Sequence, residues 1–167
     1  MVERDLVFAG KLKHTGIFDY KEFYRFCYNW LIDKDYFLVE KEYTEKIQQN
    51  GKEVVIKWEA RRKISDYFRF FIKADWRILG MKDVEVVKDG NKLTLNKGEA
   101  EIKIEATVEK DYEHRWENTS FYKFLRTMYD RYLIRSRIEQ YEMKIWGEAN
   151  EFLSQMKSFL ALEGNRQ

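Results

Sequence analysis

Hydrophobic and polar residues alternate along this chain with two periods: three to four residues near the start and the end, and two in between. Residues 67–78, YFRFFIKADWRI, show the second period most clearly. Phe68, Phe70, Ile72, Ala74, Trp76 and Ile78 fall on one face of an extended chain, and Arg69, Lys73, Asp75 and Arg77 on the other. Similar alternation runs from Tyr36 to about Lys110. Asn50-Gly51, Ser65-Asp66, Asp89-Gly90 and Lys97-Gly98 punctuate it, which predicts an antiparallel meander. A short strand over 5–13, with Leu6, Phe8 and Leu12 on one face, comes first. A helix follows it. Asp19 is placed as N-cap, Glu22 three residues on completes a capping box, and Phe18 and Phe23 form a hydrophobic staple. Phe23, Phe26, Cys27, Trp30 and Leu31 then recur as a buried stripe up to about Ile32.

Side-chain chemistry fixes the expected registers, because residues paired across an antiparallel ladder share a face. A two-residue turn at Asn50-Gly51 pairs Ile47 with Val54, Tyr43 with Trp58 and, on the opposite face, Glu40 with Arg61. A three-residue loop over 65–67 pairs Ile64 with Phe68, Ala60 with Ile72, Trp58 with Ala74 and Ile56 with Trp76. It also sets Glu59 against Lys73 and Lys57 against Asp75. Leu79-Gly80-Met81 breaks or bends the strand, after which Val84 and Val86 pair with Leu95 and Leu93. A turn at Lys97-Gly98 sets those two leucines against Ala100 and Ile102. The last strand runs to about Glu109 with Ala100, Ile102, Ile104, Ala106 and Val108 inward. After a polar connector, with Asn118 or Thr119 as cap, one long helix runs from Ser120 to about Ala161. Its stripe is Phe121, Leu125, Met128, Tyr132, Ile138, Ile145, Phe152, Met156 and Phe159. The expected fold is α+β: a curved antiparallel sheet of about six to seven strands, packed on a long C-terminal helix, with one helix after the first strand.

That order of elements, carried by DYKEFYRFCYNWL, the NG and DG turns and the closing SFYKFLRTMYDRYLIRSRIEQYEMKIW, resembles the START-like helix-grip (SRPBCC) superfamily. The resemblance implies a sheet wrapped around the final helix and a cavity between them that admits an apolar ligand such as a lipid, sterol, isoprenoid or polyketide. It also admits partner-protein binding and, in a few relatives, cyclase or hydrolase chemistry. Fold alone does not choose among these.

Composition narrows the field. At 167 residues, 44% hydrophobic, the chain suits one domain over 1–167, with no linker or repeat to divide it. A net charge of +2 gathers neither nucleic acid nor anionic lipid over long range, so any basic patch is local. The single cysteine, Cys27, allows no internal disulfide. The start, MVERDLVFAG, resembles neither a signal peptide nor a membrane span, so a cytoplasmic location without integral membrane association is expected.

The candidate binding residues lie on the inner sheet face: Trp58, Phe70, Ile72 and Trp76 as walls, Ala60, Ile104 and Ala106 shaping the volume. Small residues among large ones either leave a pocket or let the helix approach closely. Arg62 points inward opposite Phe70, where its fork can fix an anionic head group or its stem can pack while its head reaches water. Lys41 and Glu45 are inward if Asn50-Gly51 is a two-residue turn. His14 and His114 are read as loop residues, and no spacing suggests a nucleophile triad, a metal site or a cofactor. An outward stripe of Arg61, Lys63, Arg69, Lys73 and Arg77 around Phe71 can bind nucleic acid by stacking, but the acids nearby favour an ordinary charged surface. Trp146, Phe152, Leu153, Met156, Phe159, Leu160 and Leu162 at the end of the last helix can form a dimer seam or a partner surface, a lid, or simply core. The leading expectation is non-catalytic carriage of a hydrophobic small molecule. The alternative is a protein-interaction module with a filled core, and an enzyme comes third.

Overall fold

The structure is a computed structural model and describes residues 2–113, 120–132 and 135–164. His114 and the candidate caps Asn118 and Thr119 lie outside these, as does the side chain of Tyr132. Strand β1 (Glu3–Phe18) leads through helix α1 (Tyr20–Asp33) to β2 (Phe37–Gln48), β3 (Gly51–Lys63), β4 (Phe68–Lys88) and β5 (Asn91–Lys110). Helices α2 (Ser120–Tyr132) and α3 (Arg135–Gly164) close the chain. The fold is α+β, one five-stranded antiparallel sheet in the order β1-β5-β4-β3-β2 with three helices. Helix α3 packs chiefly on β1 and β5, and α1 on β2 and α3, so both cover the same sheet face.

The five strands correct the expected six to seven, and the reason lies at Lys97-Gly98. No turn forms there. β5 runs straight through, while β4 absorbs the mismatch as a register shift between Leu79 and Lys82, with Gly80 at φ 61°. Leu95 and Leu93 therefore meet Val84 and Val86, as expected, but Ala100 pairs with Ile78 and His14 instead of Leu95. Gly51, Gly80, Gly98 and Gly16 line up across β3, β4, β5 and β1. A Cβ on Gly51 would stand 2.7 Å from the Gly80 carbonyl carbon, one on Gly98 would stand 3.0 Å from the Leu79 oxygen, and Gly16 pairs with Gly98. Missing side chains along this row let the backbones close up and the sheet crease.

The β3–β4 hairpin has the expected register throughout, from Arg62 opposite Phe70 to Ile56 opposite Trp76. The β2–β3 hairpin does not. Its two-residue loop is Gln49-Asn50, so Ile47 meets Lys52 and Tyr43 meets Ile56. A shift between Glu40 and Glu42 then turns Glu40 towards Trp58 on the inner face, not towards Arg61. A similar shift between Leu6 and Phe8 throws Leu6 outward, 61% exposed, although Phe8 and Leu12 are buried.

α1 starts as its sequence predicts: the Asp19 side chain accepts from the Glu22 backbone N–H at 3.1 Å, and Phe18 and Phe23 are fully buried. The Glu22 carboxylate turns to Arg25, so the capping box is only half made. The expected final helix is described in two stretches, α2 and α3, and residues 133 and 134 between them lie outside the described residues. Ile138, Ile145, Phe152 and Phe159 recur every seven residues, but Tyr132 to Ile138 is a step of six. At 3.6 residues per turn this swings the second stripe about 100° out of line with the first. Gly147 lies inside α3 without interrupting it.

Candidate functional site

The inward residues of β3, β4 and β5 meet as one cluster. Trp58, Ala60, Phe70, Ile72, Trp76, Ile104 and Ala106 are all buried. The Trp58 and Trp76 rings lie 4.9 Å apart, Phe23 of α1 stands 5.2 Å from Trp76, and Tyr24 stands 5.1 Å from Trp58. Ala74 opposite Trp58 gives that ring its room, while Trp76 stands between Ile56 and Ile102, the close packing of a filled interior. A polar belt closes the cluster on the α1 side. Trp58 Nε1 donates to Glu40 Oε2 at 2.9 Å, Tyr24 donates to the same oxygen, and Tyr43 donates to Glu45. Burial, then the Glu40 carboxylate, pushes the Tyr24 hydroxyl above its ordinary range, and burial does the same to Tyr20. Trp76 Nε1 is buried and donates to no described residue.

Arg62 is inward as its register requires, and the structure supplies the partner that a buried charge needs. Its Nη2 donates to both oxygens of Glu148 on α3, at 3.0 and 2.9 Å, and its Nη1 to the Lys34 carbonyl at the C-cap of α1, at 2.7 Å. The guanidinium also lies over Tyr36 and Phe70, at 4.7 and 5.2 Å. Its head is thus tied down inside the protein, not held out in water. Tyr36 donates to Glu148 as well, at 2.9 Å.

The remaining candidates scatter. Lys41 is outward and pairs with Glu59, a consequence of the shift in β2, while Glu45 pairs with Lys52. His14 lies in β1, not in a loop, with Nε2 3.3 Å from the Ile17 carbonyl oxygen. Burial pushes the Cys27 thiol well above its ordinary value, which keeps it protonated. On the outer face, Arg61, Lys63, Arg69, Lys73 and Arg77 pair with Glu59, Asp66, Glu109, Asp75 and Glu53. Phe71 is buried beneath Arg61 and Arg4, so the aromatic that stacking would need is covered. Glu109, fully buried between Arg4 and Arg69, carried no signal in the sequence beyond its place at the end of the last strand. Among the described residues, no group of three or more His, Cys, Asp or Glu is placed to hold a metal ion.

The two ends of the final helical stretch differ in kind. Phe152, Leu153, Met156 and Leu160 are buried, Trp30 stacks on Phe152 at 4.5 Å, and Phe26 stacks on Phe159 at 5.2 Å, so most of the expected docking end is core, with Trp146 and Leu162 left exposed. At the other end, Phe121 is 65%, Phe124 59% and Met128 44% exposed, although the helical stripe put Phe121 and Met128 inside. The step of six after Tyr132 was the available signal. Close by, a cavity of about 270 Å³ is lined by residues 65–68, among them Asp66, together with Tyr129, Arg137 and Tyr141. Compared with family models, curated proteins and solved structures, the chain has no match.

Proposed function

We propose that the chain is a non-catalytic binding module, a rigid sheet-and-helix body that presents the uncovered side of α2 to a partner. The observation that carries this reading is the contrast between the two apolar surfaces. The inner-face candidates are buried against one another and against α1 and α3, whereas Phe121, Phe124 and Met128 have no such cover. Clustered exposed apolar side chains mark interaction sites. Retention assays with wild type and the Phe121→Ser/Phe124→Ser variant, both shown to be folded, test it. The reading requires a component of the source cells that wild type holds and the variant releases. Identical retained sets would sink it.

A second reading keeps the helix-grip resemblance and carriage of a hydrophobic small molecule between the sheet and α3. The buried Trp76 N–H, without an acceptor among the described residues, favours it, because a ligand oxygen would satisfy that donor. Denaturing extraction of gently purified protein is its test: an apolar compound released from wild type and depleted in Trp76→Phe supports it, and equal amounts from both place the ligand elsewhere.

A further inference from the structure

We infer that the partner of α2 is an anionic phospholipid surface, an inference that rests on the binding-module reading above. Three features of one short segment point to it. Phe121, Phe124 and Met128, at i, i+3 and i+7, share a flank of α2 and are all exposed. Arg131, seven positions on from Phe124, is exposed on that flank, Lys123 is exposed about 100° further round the helix from Phe124, and Arg135 and Arg137 follow at the start of α3. Residues 120–137 hold five basic residues against the single Asp130, a net +4, which leaves the rest of the chain at −2. The basic patch that the overall charge could not supply is therefore local, and it coincides with the exposed aromatics.

An exposed apolar flank with cations beside it and further round the helix constrains the partner. An acidic peptide would neutralise the cations and leave two phenylalanines and a methionine in water. An apolar protein groove would cover those three and desolvate the cations beside them. A phospholipid layer with acidic head groups satisfies both at once: the rings enter the acyl boundary while Lys and Arg stems extend outward to the head groups. Among the described residues, Lys123, Arg131 and Arg137 have no carboxylate partner to give up on docking, in contrast to the paired cations of the outer sheet face. Arg126, by contrast, points back to Glu3 of β1 and to Asp111 after β5, which moors α2 to the sheet end. Among the described residues no helix is long and apolar enough to cross a membrane, so α2 would lie in the interface.

The test is co-sedimentation of the whole chain with vesicles of phosphatidylcholine plus phosphatidylserine, and with vesicles of phosphatidylcholine alone. Wild type is expected to pellet with the first far more than with the second, and less as salt is raised. Lys123→Glu/Arg131→Glu should lower partition by about tenfold or more, Phe121→Ser/Phe124→Ser should abolish it, and Leu162→Ser, exposed at the far end of α3, should leave it unchanged. Folded wild type that stays in the supernatant overturns the lipid inference. If the Phe121→Ser/Phe124→Ser variant then also releases a protein that wild type retains, the binding-module reading stands without the lipid. If it releases nothing, both fall.

Discussion

Arg62 holds α1, α3 and the sheet together through one guanidinium, since the Lys34 carbonyl, Glu148 and the rings of Tyr36 and Phe70 all converge on it. Both members of the ion pair have side chains only 14% exposed. Removing one partner of such a pair leaves the other buried and uncompensated, so Arg62→Ala should cost about 3 kcal/mol in a urea titration. Arg62→Lys should recover only part of it, because an ammonium lacks the fork that grips Glu148 and the Lys34 carbonyl together. A residue reserved for a ligand head group would behave oppositely, leaving the stability of the ligand-free protein near the wild-type value. The inward direction of Arg62 was legible from the alternation of β3. Its partner was not, because Glu148 lies 86 positions away and its placement depends on the rotational phase of α3.

Elements were legible where local chemistry settles them and obscure where a single residue is inserted. The β3–β4 hairpin announced its register because two indoles, two alanines and alternating charges fit only one alignment. The shifts in β1 and β2 left no comparable mark, so Leu6 and Glu40 were assigned to the wrong faces. The glycine row shows the same limit, since Lys97-Gly98 looks like a turn until its neighbours in β4 and β1 are known. Gly51 makes the row testable. It holds φ 120°, and a Cβ there would meet the Gly80 backbone at 2.7 Å, whereas Gly90 holds φ 79° with nothing within 4 Å. Gly90→Ala therefore bears conformational strain alone, about 1 kcal/mol, while Gly51→Ala adds a backbone clash and should exceed about 2 kcal/mol. Thermal unfolding of the two variants checks the order, and equal losses would mean that β3 and β4 can separate at the crease without cost.

At the scale of the molecule, the last two helices divide the apolar residues of the C-terminal third between two tasks. Those from Ile145 onward mostly enclose the core, and those before Met128 mostly face outward. Spacing alone does not make this division, because both sets have helical spacing; the step of six after Tyr132, which sets their relative phase, is its mark in the sequence. A matched pair of charge insertions tests it. Phe159 is partly buried, lies 5.5 Å from Phe23 and stacks on Phe26, so Phe159→Asp sets a carboxylate among rings and should cost about 2 kcal/mol or more. Phe124 is 59% exposed, so Phe124→Asp should stay within about 0.5 kcal/mol of wild type while altering whatever α2 binds. Urea titration with sedimentation velocity separates the two effects. Should Phe159→Asp keep full stability and change only the assembly state, the end of α3 would be an interface and not core. Comparable destabilisation by Phe124→Asp would mean that α2 packs its aromatic flank against the body, and the surface from which its partner was inferred would not exist.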